Sequence, residues 1–280
     1  MKLSSHSYGK VAVRVLKVIR NGARHSIKEL EVTVMLKGDF DASYTKSDNS
    51  TIVPTDTIKN TVQVLALKHL GLETEEFGVI VAEHFAKTYS QAAHARVWLR
   101  ERSWQRMRVE GEAHPHSFRE AGGAVPVADV ARGGGQTTVT SGIQDLLMLK
   151  TTESGFEGFA KDELTTLAET KDRVFATKLD GSWLYQGKPA SYAESNGKIV
   201  GAMMDVFAGT YSPSVQATLY EMSRAALSAV PEIEQITLTL PNKHYVLANL
   251  APFGLENRNE LFIPTDEPYG RIEGTVTRAD

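Results

Sequence analysis

Between Lys150 and Arg173 the chain reads KTTESGFEGFAKDELTTLAETKDR, with Phe156 and Phe159 three residues apart and a lone arginine at the close. A ring face and a guanidinium suit a flat anion: the ring is a surface to stack on, and the planar fork of N–H donors meets oxygens at the ligand's edge. The same residues have a plainer reading. Phenylalanines at i and i+3 are ordinary core aromatics on one helical face, and Arg173 beside Asp172 is an ordinary surface ion pair. Taken alone, the segment describes a grip on a flat anion and nothing more.

Composition narrows the classes. A chain of 280 residues can bury one large core or two domains, each of about 130 to 140 residues. Its net charge of −3 offers no general attraction to nucleic acid or anionic membranes. With no cysteine, disulfides, thiolate metal sites and cysteine nucleophiles are excluded. No apolar run is long enough to span a bilayer, no basic-then-apolar leader follows Met1, and Thr277-Arg278-Ala279-Asp280 is not a Ser-Lys-Leu peroxisomal address. The expectation is a soluble, cytoplasmic protein of bacterial type.

The elements that must hold the site are legible from periodicity. Residues 8–20 alternate apolar and polar, Asn21-Gly22 follows, and a second alternating run covers Ile27 to Leu36, together a β-hairpin. Ile58 to Leu70 has helical spacing with a start near Thr55, and Gly71 ends it. Glu73 to Tyr89 reads as a second helix and Ala93 to Glu110 as one long strand. AHPHSF reads as a loop, Gly133-Gly134-Gly135 as a loop joining two halves, and Gln136 to Lys150 as another strand. The second half repeats the order: a strand from Arg173 to Tyr185, helices over Ser191 to Phe207 and Pro213 to Val230, and a strand from Ile233 to Leu240. Ser212-Pro213 reads as a helix start, with a capping hydroxyl and a proline in the first turn. The expected fold is therefore α+β, two tandem units over residues 1–134 and 135–280, each an antiparallel sheet with helices on one face.

Lys150, Thr151, Thr152, Phe156, Phe159, Leu167 and Arg173 stand in the register of a known signature, and the segment resembles that of the urate oxidase (uricase) family. Leu164 departs from it, where the family usually has a third aromatic. Four further segments resemble the same family: Tyr8-Gly9-Lys10, Thr55-Asp56 within PTDTIKN, Ser214-Val215-Gln216-Ala217-Thr218, and Leu240-Pro241-Asn242-Lys243-His244-Tyr245. The match touches both halves. It implies two tunnelling-fold (T-fold) units per chain, assembling as a homotetrameric barrel with active sites at subunit interfaces.

What the resemblance implies for chemistry is a cofactor-independent oxidation of urate by dioxygen to 5-hydroxyisourate and hydrogen peroxide, with no metal. Lys10 would act as base through Thr55, and His244 would complete the proton relay. Phe156 would stack on the substrate, Arg173 would fork onto one edge, and Gln216 with the Val215 backbone would hold the opposite edge. Thr55 and a backbone donor at Asp56 would come from a neighbouring subunit, and Asn242 would hold dioxygen, peroxide or water above the ring. Thr55 and Val215 both fall at predicted helix starts, where free N–H groups suit an anion. Each residue also has an everyday role: Lys10 as an outward strand lysine, Thr55 as an N-cap, Gln216 as a polar first-turn residue, His244 as a loop histidine.

Three features lie outside that reading. Arg96, Trp98, Arg100, Arg102, Trp104, Arg106 and Arg108 recur at period two, as on a single-strand nucleic-acid platform, but the overall negative charge favours an inter-subunit or barrel-lining face. His114-Pro115-His116 lacks a third ligand at metal spacing, and Gly133 to Gly135 lacks the neighbours of a phosphate loop. Two other functions remain compatible with the sequence: another T-fold purine or pterin enzyme, against which the lack of cysteine counts, and a catalytically silent purine-binding or scaffold protein.

Overall fold

The protein is described here by a computed structural model covering residues 1–278; Ala279 and Asp280, the end of the C-terminal sequence read above, lie outside the described residues. By its contacts the chain divides into two units, Met1–Gly142 with Leu184–Ala193, and Ile143–Trp183 with Glu194 onward. The elements begin with β1 (Tyr8–Asn21), β2 (Arg24–Lys37), α1 (Asp41–Thr45), α2 (Thr55–His69) and α3 (Thr74–Thr88). They continue with β3 (His94–Arg102), β4 (Trp104–Val109), β5 (Glu112–Glu120), β6 (Val125–Gly133) and β7 (Gln136–Lys150). After these come β8 (Phe175–Tyr185), α4 (Tyr192–Gly209), α5 (Val215–Ala229), β9 (Ile233–Leu247) and β10 (Phe262–Thr277).

In the first unit, β1 and β2 form the expected hairpin, turning through Gly22 at φ +60°, the value a right-twisted two-residue turn needs at its first position. Alternation along β2 buries Leu30, Val32, Val34 and Leu36 on one face. Antiparallel pairing extends that strip, with Val97 of β3 opposite Val34, and Val130 of β6 opposite Val97. Helix α2 buries Ile58 and Val62, and α3 buries Phe77, Val81 and Phe85. Gly78 lets α3 settle onto β3 and β6, because a Cβ there would stand 2.8 Å from both Leu99 Cδ1 and Val130 Cγ2. The α3 cap residue Glu73 accepts from the Ser191 hydroxyl at 2.6 Å and from the backbone N–H groups of Tyr192 at 2.9 Å and Ala193 at 3.0 Å.

The second unit orders its strands β7-β8-β9-β10, with β9 and β10 antiparallel. Helix α5 lies on β9 and β10, where Gly274 makes room for Leu219: a Cβ there would sit 2.9 Å from Leu219 Cδ2. Arg278 closes the far end of α5, its guanidinium donating to the carbonyls of Leu227, of Val230 at 3.0 Å and of Ile233 at 2.8 Å. Of these, the Leu227 and Val230 carbonyls belong to the helix end, where no helical N–H can reach them and a cation satisfies them.

Five readings of the sequence need correction. The strand from Ala93 to Glu110 breaks at Ser103, and β4 leaves the main sheet to pair with β5 in a two-stranded sheet. AHPHSF is accordingly strand, not loop. The β9 strand runs on to Leu247, so Asn242 and His244 are strand residues, and β10 beside it escaped the pattern altogether. The α5 cap is Ser214, whose Oγ accepts from the Ala217 N–H at 3.1 Å; Pro213 lies before the cap, and Ser212 accepts instead from the Thr218 hydroxyl at 2.7 Å. The basic, aromatic stripe is divided between two sheets, and much of its charge is met locally: Arg96 is bidentate to Asp129, and Arg102 reaches Glu29 at 3.7 Å and Glu120 at 3.3 Å.

Candidate active site

Residues 151–174 form no helix. Glycines and short bridges shape them instead: Ser154 pairs with Ser212, and Phe156 pairs with Thr170 through N–H donors at 2.7 and 3.1 Å. The Arg173 N–H donates to Ser154 O at 2.8 Å, so the two ends of the loop close on each other. This closure brings the Arg173 guanidinium carbon to 5.9 Å from the Phe156 ring centre and 5.8 Å from that of Phe175. Phe159 stacks on Phe156 at 4.9 Å with 12° between the planes. The helical-face reading of the two phenylalanines is thereby overturned.

The surface ion pair is overturned as well. Asp172 accepts from the Thr152 hydroxyl at 2.9 Å, and among the described residues no carboxylate pairs with Arg173. The guanidinium is half-buried, its Nε is enclosed without a hydrogen-bond partner, and burial pulls its pKa down, with Tyr211 opposing that shift. Arginine stays charged under such perturbation. The loop thus presents an uncompensated cation, part-desolvated, beside a ring face.

Two other elements face it. Val215 and Gln216 are the first two residues of α5, so no carbonyl of their own helix can reach their N–H groups. Asn242 and His244 lie two apart on β9 and so share a face; opposite them β10 bulges, with Gly270 paired to Asn242 and Thr265 to His244. Phe156, Arg173, Val215, Gln216, Asn242 and His244 together line a cavity of about 180 Å³. Six of the nine residues singled out in the sequence are therefore gathered in one place. Among the described residues no carboxylate lines it, and the Arg173 guanidinium and the first turn of α5 supply it with N–H donors.

Lys10, Thr55 and Asp56 do not line this cavity; they gather in the first unit at the start of α2. The Tyr8 hydroxyl accepts from the Val53 N–H at 2.8 Å, and Gly9 lies on the β2 backbone, where a Cβ would fall 1.8 Å from Val34 O. A bulge follows Lys10, with Ala12 at φ +56°, and Lys10 is half-buried rather than an outward strand lysine. The α2 cap is Pro54, so Thr55 is the first helical residue and its hydroxyl is not used in capping. The hydrogen bond from Lys59 at 2.5 Å, then that from Asn60 at 2.9 Å, holds the Asp56 carboxyl below its ordinary range, and the charge of Lys10 adds to this.

A family profile described as Uricase matches residues 6–131 and 139–273. The chain belongs to the uricase family. It is 43% identical over 279 residues to the uricase of Oryctolagus cuniculus, covering 97% of this chain and 93% of that one. Against the uricase of Arthrobacter globiformis it is 40% identical, covering 99% and 90%. The crystal structure of uricase from Arthrobacter globiformis superposes with a TM-score of 0.95 at 39% identity, over 99% of this chain and 95% of that one. The α+β architecture of antiparallel sheets is accordingly the T-fold of the uricases.

Two residues lining the uricase cavity were missed as site residues. Leu167 stood in the signature without a role, and Ile272 lies on β10, which periodicity did not reveal. Leu164, the departure from the uricase signature, is 82% exposed and lies outside the cavity lining. Among the described residues no group of three or more His, Cys, Asp or Glu is placed to hold a metal ion, and no helix is long and apolar enough to cross a membrane.

Proposed function

We propose that this chain oxidises urate with dioxygen and water to 5-hydroxyisourate and hydrogen peroxide, in purine degradation. Urate is an electron-rich planar anion that can itself give two electrons to dioxygen, while water supplies the oxygen added to the product. The reading therefore needs no redox cofactor; the work of the protein is binding, proton transfer and placement of oxygen. The observation that carries it is Arg173, half-buried beside the Phe156 ring without a carboxylate, in a cavity that also holds the N-terminus of α5.

In this reading Phe156 stacks on the substrate ring, Arg173 forks onto one edge, and the Gln216 amide with the Val215 N–H takes the other. Asn242 holds dioxygen, peroxide or water above the ring. Lys10, through Thr55, removes the proton, and His244 completes the relay. Thr55 and the N–H at Asp56 reach the cavity from a neighbouring subunit of a homotetramer, whose chains each carry T-fold units over residues 1–134 and 135–280. What supports the assignment of Thr55 and Asp56 is their place in the first turn of α2, the counterpart of Val215 and Gln216 in α5. The setting proposed is the cytoplasm.

The test is loss of urate absorbance with matched oxygen uptake in chelator-treated, cofactor-free protein. Folded protein that binds urate and never consumes it would instead be a silent purine-binding member of the fold, and the proposal would be wrong.

A further inference from the structure

The loop carrying Arg173 is closed by one side chain that neither lines the cavity nor belongs to the family signature. Tyr211 donates its hydroxyl to Lys171 O at 3.0 Å. The Tyr211 hydroxyl also lies over Gly155 on the opposite arm of the loop: an ideal Cβ there would be 2.2 Å from it and 2.9 Å from Thr170 O. The phenol is thus wedged between the arm that leads to Phe156 and the arm that leads to Arg173. The residue is 47% exposed, so burial does not explain its presence; what is engaged is the hydroxyl.

The mount of Tyr211 is hydrogen-bonded on both sides. Thr210 O accepts from Lys150 Nζ at 2.8 Å, and Ser212 exchanges hydrogen bonds with the loop, from its N–H to Glu153 O at 2.9 Å and from the Gly155 N–H to its own carbonyl at 2.8 Å. Two residues later Ser214 caps α5, the helix that presents Val215 and Gln216. A single short segment therefore links the arginine wall of the cavity to its N–H wall. The Arg173 side chain has no hydrogen-bonded anchor of its own at Nε, so its aim depends on where the backbone at 171–173 is held.

We infer that Tyr211 is a positioning residue, which sets the spacing between the Arg173 guanidinium and the first turn of α5 and thereby the fit of the planar substrate. The inference rests on the urate reading for its kinetic test, but not for its structural one. Tyr211→Phe keeps the ring and removes the hydroxyl. Loss of one positioning hydrogen bond is expected to raise KM for urate about three- to tenfold, with kcat changed by less than KM and thermal stability close to that of the parent. Gly155→Ala, which drives a methyl group into the hydroxyl, should raise KM similarly, and the double variant should be no worse than the poorer single one.

Unchanged KM in Tyr211→Phe, in a protein whose parent turns over urate, overturns the positioning role and leaves the urate reading standing. A crystal structure of ligand-free Tyr211→Phe decides the matter independently of any turnover. A shifted Arg173 guanidinium supports the inference; an unmoved one overturns it.

Discussion

Arg173 lies 5.9 Å from the ring centre of Phe156 because Phe156 is bridged to Thr170 and the Arg173 N–H is bonded to Ser154 O, so the loop folds back on itself and delivers both groups to one wall. A partner carboxylate would cancel the cation; the neighbouring one, Asp172, is taken by Thr152 instead.

Replacing Arg173 by lysine keeps the charge but loses the planar fork. We expect kcat/KM for urate to fall by about 10- to 100-fold in Arg173→Lys, and further in Arg173→Met, with the loss chiefly in KM. Steady-state assays at several urate concentrations read this directly. Equal kinetics for lysine and arginine would mean that charge alone matters at this position.

Subunit mixing tests the shared site. The charge of Lys10 is felt at Asp56, so Lys10 and Thr55 travel together on one chain and variants at these two positions should not rescue each other. Arg173→Met and Thr55→Ala chains should: if each site takes Arg173 from one chain and Thr55 from its neighbour, equal mixing restores about one quarter of the sites. No recovery in verified mixed oligomers would place the whole site within one chain.

Acid stability should depend on Glu73. Burial pushes this carboxyl up, but the Ser191 hydroxyl and the Ala193 and Tyr192 amides outweigh it, aided by Lys28, and leave the folded value below the ordinary 4.5. A lowered carboxylate contributes stability above its unfolded pKa and loses it as pH falls through the folded one. The parent should therefore lose Tm below about pH 4.5 more steeply than Glu73→Gln. Parallel Tm curves would sink this account.

The alkaline limb should depend on Tyr192. Burial first, then Glu75, Glu76 and Glu73, push its phenol from 10.0 up to about 12. A raised group contributes its stability fully below the unfolded pKa and loses it on the way to the folded one, so the loss falls between pH 10 and about 12. Tyr192→Phe cannot titrate and should show a flatter Tm profile there.

Much of this was legible in the sequence, and the exceptions have physical reasons. The alternation of β2, the bounds of β7 and the helix start near Thr55 followed from periodicity and end chemistry, whereas the same end chemistry at Ser212-Pro213 points two residues too early for α5. The β5 strand hid behind Pro115, tolerated because it lies in a two-stranded sheet, and β10 hid behind Pro264, Pro268 and Gly270, which its bulge and its position beside β9 alone accommodate. Local pattern could not tell that Asp172 turns away from Arg173, since that depends on Thr152 twenty residues earlier. Nor could it show that Lys10 sits at a bulge, because the bulge needs Thr33 of the neighbouring strand.

A half-buried arginine that no carboxylate pairs among the described residues is a debt against the folded state that an anion discharges on arrival. Ligand at a hundred times its dissociation constant would add about 2.7 kcal/mol to stability. Empty protein should thus be the form that heat and proteases remove first, so the lifetime of this catalyst in a cell should follow the supply of what it consumes.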